Sequence, residues 1–250
     1  MSKNETAAAT GFLTWELFGA DGELKASGCA GNLITQVGTQ MYWERGAGVS
    51  GAPAVPTGMK LGTGTAAVTA TGSGAALATY LSNSDQAFDS SFPTSSLLAS
   101  AALSGGTAVA ATDTFTFTGH GLVDGRSLTL TTPPAGLTAG VVYYVLNSTT
   151  NTFQLSATPG GSVIDVTADG AGISLSAKAT RRIAYKTTYA AGKATSATAI
   201  AEAVIVNETL TDATSAAAAT VARILLGSQA ASKGSADTLA LTWNHDLAQN

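Results

Sequence analysis

Between Thr107 and Ala177 the chain runs through five or six short apolar segments, each bounded by glycine, proline or asparagine. Phe115 and Phe117 alternate with threonine, and SLTL (127–130), VVYYVL (141–146), TFQL (152–155), VIDV (163–166) and ISL (173–175) follow. Segments this short, broken this often by turn residues, cannot propagate helices and predict a compact all-β module. Small-residue stretches flank it, LSGGTAVAA before and SAKAT after. The module reads as an insertion, which divides the chain three ways. Residues 1–10 form a flexible N-terminal arm, 11–106 with 178–250 a discontinuous β-rich assembly domain, and 107–177 an inserted small β-domain.

The surrounding sequence is also strand-rich. GFLTWELF (11–18) and ELKAS (23–27) flank the turn pair Asp21-Gly22 and predict a hairpin. Asn32 is placed to cap a short helix carrying Leu33, Ile34, Val37 and Met41 at helical spacing, closed by Gly46 and Gly48. MKL (59–61) predicts a strand that runs into a Gly/Thr-rich loop, and residues 82–100 have the composition of a long exposed segment. Further strands are expected at 183–189, 199–206, 220–226 and 238–243, with a helical turn at 214–219. The expected fold class is all-β: a β-sandwich or jelly-roll-like domain with an inserted small barrel-like module and one short helix.

Composition limits the function classes. Charged residues make up 11% of the chain, against about a quarter in ordinary domains, and the net charge is −4. Twelve Lys/Arg, clustered nowhere beyond Arg181-Arg182, cannot neutralise a phosphate backbone, so no nucleic-acid partner is expected. No apolar run reaches the length of a membrane span, and the N-terminus lacks a basic start followed by an apolar run. The expectation is a protein made in a cytoplasm with no membrane partner. Hydrophobic residues are 45% but aromatics only 6%, so the alanine-rich core gains modest burial energy per residue. Association with neighbouring subunits would recover some of it.

Few residues invite chemistry. Cys29 is the sole cysteine, which excludes an intrachain disulfide and a cysteine-based zinc site, and it reads as a small buried hydrophobe. Gly62-Thr63-Gly64 with Ala67 resembles a degenerate dinucleotide loop, but the Val68–Gly72 stretch after it is poor helix material. His120 and His245 lie in different modules without a nucleophile elbow and are expected in turn or capping roles. Glu202 is the one charge in AIAEAVIV; it either faces solvent or is buried against Arg181, Arg182 or Arg223. Asn147-Ser148-Thr149 and Asn207-Glu208-Thr209 match the glycosylation tripeptide by chance. Tyr143, Tyr144 and Phe153 suit core packing, or else stacking on sugar faces. Asp165 and Asp169, the nearest carboxylate pair of the module, look like turn residues. No catalytic, cofactor-binding or metal-binding residue is assigned, and no cofactor is expected.

The order of several short motifs is similar to that in a diverse group of tailed-bacteriophage structural proteins. These are Asn32-Leu33-Ile34-Thr35, Leu61-Gly62-Thr63-Gly64-Thr65, RIAYKTTY (182–189), Glu202-Ala203-Val204 and the closing LALTW (239–243). The module separately resembles a small β-domain of phage proteins through FTGHGL (117–122), VYYV (142–145) and NTFQL (151–155). The resemblance implies a virion component, head or tail, and no enzymatic activity is expected of the chain. The leading expectation is a capsid decoration (cement) protein that sits as a homotrimer on the outer face of the head and binds the major capsid protein. The alternative is a tail or fibre-base component presenting the inserted domain to a host surface glycan.

Overall fold

The computed structural model describes residues 9–227 and 231–248. In chain order the first strands are β1 (Ala9–Phe18), β2 (Leu24–Gly31), β3 (Leu33–Ile34), β4 (Gly58–Gly62), β5 (Gln86–Ala87) and β6 (Thr94–Leu98), with helix α1 (Gln36–Gly46) after β3. Next come β7 (Ala101–Val109), β8 (Thr114–Thr116), β9 (Ser127–Thr132), β10 (Val142–Leu146), β11 (Thr152–Ser156) and β12 (Gly170–Ala177). The last are β13 (Thr180–Tyr189), β14 (Ser196–Ile200), β15 (Glu202–Val206), β16 (Thr220–Leu225), β17 (Ala231–Lys233) and β18 (Thr238–Ala248). The fold is all-β, with one α-helix among the described residues. The chain divides into two compact units, one of Ala9–Ser95 with Ile183–His245, the other built on Ser96–Arg182 and including Asp246.

The first unit is a sandwich. One sheet has the order β2-β1-β18-β13-β6 and the other β3-β16-β15-β4-β5. Strands β13 and β18 are neighbours in the first sheet, β14 pairs antiparallel with β17, and β15 pairs antiparallel with β16 in the second. A single ribbon thus passes from one sheet to the other, which is jelly-roll-like winding. Period-two alternation puts Leu13, Trp15, Leu17, Leu239, Leu241 and Trp243 against Met59, Leu61, Ala203, Ile205, Ala222 and Ile224 in one core.

Helix α1 begins three residues later than its apolar spacing suggested. Leu33 and Ile34 pair with Arg223 and Ala222 as β3, so the cap is Thr35, whose hydroxyl accepts from the Gly38 N–H at 3.1 Å. Asn32 instead bonds His245. Gly38 lies so close to β16 that a Cβ there would sit 2.1 Å from the Val221 carbonyl oxygen. Only glycine permits that approach.

The second unit is a closed barrel of order β10-β11-β8-β7-β12-β9. Its core holds Phe115, Phe117, Leu128, Leu130, Tyr143, Val145, Phe153, Leu155, Ile173 and Leu175. The Phe115 and Phe153 rings stack at 5.5 Å between centroids.

Several boundaries differ from the sequence expectation. The barrel begins with β7 at Ala101, so residue 107 falls inside a strand; its small residues are needed because a Cβ on Gly106 would collide with the Phe117 ring. Residues 82–100 are no plain exposed segment: they carry β5 and β6, and buried Ser84 bonds both the N–H and the carbonyl of Leu61. AIAEAVIV is split at Ala201 between β14 and β15. Ala9 and Thr10 belong to β1, while residues 1–8 of the expected arm lie outside the described residues. Cys29 is half-buried in β2 instead of fully enclosed.

Candidate functional site

The densest polar constellation lies on the outer face of the second sheet of the sandwich. With Met59, Leu61, Ala203 and Ile205 facing the core, alternation sends Lys60, Glu202, Val204, Val206 and Arg223 to the other side. They are buried there nonetheless, because the segments 63–81 and 207–219 contribute Leu77, Tyr80 and Leu210 over Val204 and Val206. A carboxylate and a guanidinium under such a cover need partners for every lone pair and proton.

Glu202 and Arg223 obtain them. In the register Glu202 faces Leu225 and Val204 faces Arg223, so the pair is a cross-strand diagonal. The Arg223 Nε and Nη2 donate to Glu202 Oε2 at 3.0 and 2.7 Å. The other guanidinium donors reach the carbonyls of Ala66, Ala67 and Gly74. Glu202 also accepts the N–H groups of Gly64, Ala78 and Thr79 at 2.8–3.1 Å. Both ends of the 63–79 loop are therefore tied to one buried ion pair. A Cβ on Gly64 would lie 2.5 Å from Glu202 Oε1, which explains glycine in the Leu61–Thr65 motif. The loop amide that resembled a phosphate cradle faces the chain's own carboxylate.

A second clamp holds the 207–219 segment. Lys60 Nζ donates to Glu208 Oε1 at 2.8 Å and to the Ala213 carbonyl at 2.7 Å, and lies 3.4 Å from Asp85. Tyr80 donates to Asp85 and Asp212, and burial, followed by these bonds, raises its pKa above the usual phenol value.

His245 sits in the sandwich core, stacked edge-on to Tyr42, Tyr185 and Trp243. Asn32 Nδ2 contacts Nε2 at 3.1 Å, Tyr42 Oη contacts Nδ1 at 2.6 Å, and Tyr42 and Tyr185 are 2.8 Å apart. With the amide donating to Nε2, Nδ1 carries the ring proton and donates to Tyr42, which donates to Tyr185. Burial lowers the His245 pKa to about 3, so the ring is neutral at ordinary pH. Asn32, His245, Tyr42 and Tyr185 thus form one packed polar chain within the core.

The remaining candidates are dispersed. His120 accepts the Leu122 N–H at Nδ1 and faces the Thr152 carbonyl at 3.3 Å, stapling its turn to β11. Tyr143 and Phe153 are buried in the barrel core, which leaves Tyr144 alone half-exposed for stacking. Asp169 accepts the Ala110 N–H as a turn residue. Asn147 and Asn207 bond Gln154 and the Ala54 carbonyl. Arg182 pairs with Asp246 through two bonds of 2.8 Å, and it is Arg223 that bonds Glu202. Among the described residues no group of three or more His, Cys, Asp or Glu is placed to hold a metal.

One surface was not anticipated. After α1, residues 47–57 fold back along the helix end: the Val49 N–H bonds the Glu44 carbonyl at 2.8 Å and Arg45 Nε bonds the Pro53 carbonyl at 2.6 Å. Trp43, Val49 and Val55 are 57%, 50% and 55% exposed there. The absence of charge from AGVSGAPAVPT (47–57) was the readable signal. Compared with protein-family models, with curated proteins and with solved structures, the chain matches none.

Proposed function

We propose that the chain is a structural protein of a tailed-bacteriophage particle, specifically a capsid decoration protein that seats on the major capsid protein and associates with itself as a trimer. Its work is contact, without turnover, and its place is the virion, assembled in the bacterial cytoplasm. The observation that carries a contact role is the exposed apolar segment of Trp43, Val49 and Val55 on a protein with so little surface charge. Large exposed side chains gathered in one tied-down segment mark an interaction surface. The clamped loops support the same reading, since a preorganised surface loses little entropy on docking. The phage assignment rests on the motif order from Asn32 to Trp243. A glycan-presenting role draws less support, because Tyr143 and Phe153 are enclosed by the barrel.

Co-sedimentation of the purified chain with particles stripped of it tests the proposal. The chain is expected to pellet with the particles and Trp43→Ser to bind at least about tenfold more weakly, the scale of losing an interface aromatic. Equal binding by both proteins would reject Trp43 as the contact, and no binding by the wild type would reject the decoration role.

A further inference from the structure

The barrel unit contains a buried cation with no salt-bridge partner among the described residues. Arg126 is 2% exposed. Its Nη2 donates to the carbonyls of Ala99, at 2.7 Å, and Lys178, while the buried Nε has no hydrogen-bond partner. Neutral carbonyls orient a guanidinium without cancelling its charge. The nearby carboxylate, Asp246, is already engaged at both oxygens by Nε and Nη2 of Arg182. No described carboxylate forms a salt bridge with Arg126. Burial lowers the Arg126 pKa, with Asp246 opposing that effect and Arg182 adding to it.

Arg126 lines a cavity of about 250 Å³ whose other walls include Leu98, His120, Gly121, Leu122 and Val123. His120 is occupied at both ring nitrogens by Leu122 and Thr152 and so serves as wall. Val123, Gly121 and Ala99 are exposed at the rim, which leaves the cavity reachable from solvent. One cation beneath apolar walls specifies a ligand with one anionic end and an aliphatic body.

We propose that this cavity binds a small aliphatic monocarboxylate, its carboxylate on the Arg126 guanidinium and its tail along Leu98, Leu122 and Val123. The site is independent of the contact surface at Trp43 and of the proposed virion role.

Titration of the full chain with hexanoate at constant ionic strength, followed by amide and arginine side-chain NMR, tests it, with hexanamide and sodium chloride as controls. Saturable shifts are expected at 98–101, 120–126 and the Arg126 Nε–H, with a Kd on the order of 1 mM. Hexanamide, and hexanoate with Arg126→Gln, should bind about tenfold more weakly or worse, the loss of a charge-assisted bond. Should Arg126→Gln fail to fold, the acid-against-amide comparison on the wild type decides alone. Equal responses to hexanoate and hexanamide, equal responses to hexanoate and chloride, or hexanoate shifts confined to other residues would each overturn the proposal.

Discussion

The barrel and the second sheet of the sandwich bury their residues by different means. In the barrel, β9 and β11 alternate between core and surface, so Leu128, Leu130, Phe153 and Leu155 point inward while Thr129 and Gln154 stay partly exposed. In the sandwich, all five residues of β4 and of β15 are buried, because loops cover the outer face. A barrel closes its own edges and needs one apolar face. A covered sheet must also accommodate the charges that once faced water, and it does so by turning Glu202, Arg223 and Lys60 into clamps for the cover. The same alternation therefore gives a simple core in one unit and a polar-reinforced layer in the other.

The largest effect should come from breaking the clamp. Glu202→Ala leaves Arg223 buried without its carboxylate and frees three loop amides, and a loss of about 3–5 kcal/mol is expected in urea unfolding. Hydrogen exchange at Gly64, Ala78 and Thr79 should accelerate together. A loss below about 1 kcal/mol would mean that the apolar contacts of Leu77 hold the cover and the ion pair is incidental.

The barrel counterpart is Phe153→Ala, which removes the ring between Phe115, Phe117 and His120. It should cost about 3 kcal/mol or more through cavity formation, while exchange at Gly64, Ala78 and Thr79 stays unchanged. Simultaneous loosening of those amides would show that the two layers are not separately stabilised.

Acid separates the units in a third way. The folded His245 pKa of about 3 lies below the ordinary 6.5, so the unfolded chain takes up the proton first. Stability from this group is intact above pH 6.5 and falls as pH drops toward 3, by about 1.4 kcal/mol per unit. At pH 5 the deficit is about 2 kcal/mol. Protonation would set an Nε2–H against the Asn32 amide, and the groups around the ring, Tyr42, Tyr185 and Trp243, offer no compensating anion. His245→Gln should flatten this part of the pH profile; an unchanged slope would place its origin elsewhere.

Smaller effects mark the edges of the comparison. Thr35→Ala removes the α1 cap and should cost about 1 kcal/mol by thermal unfolding. Lys25→Met breaks the bond to Asp237 from a lysine that is 51% exposed, and a change within about 0.5 kcal/mol is expected.

The barrel was legible because each strand there has one wet face, so Thr-Phe-Thr and Val-Tyr-Tyr-Val carry the alternation openly. Its first strand was not, since Leu103 to Val109 presents small residues that fit under Phe117 and looks like linker. The hairpin around Gly22 and the closing strand with Trp243 were equally readable. The loop cover was only partly visible: most of 63–79 is exposed, as its Gly, Ala and Thr composition suggests, but Gly64, Ala75 and Leu77 are buried, and Gly64 packs on the Glu202 carboxylate. Glu202 was visible as the one charge in an apolar strand, but its choice of Arg223 over Arg181 or Arg182 depends on the β15–β16 register. Arg126 gave no signal, since an isolated arginine between Gly125 and Ser127 reads as a surface residue.

Copy number in the purified virus particle tests the proposed role most directly. Quantitative mass spectrometry of intact particles should find the chain at an abundance comparable to that of the major shell protein, and at unchanged ratio after stringent washing. Its absence, or presence at only a few copies per particle, would contradict a decoration protein that works by covering the lattice.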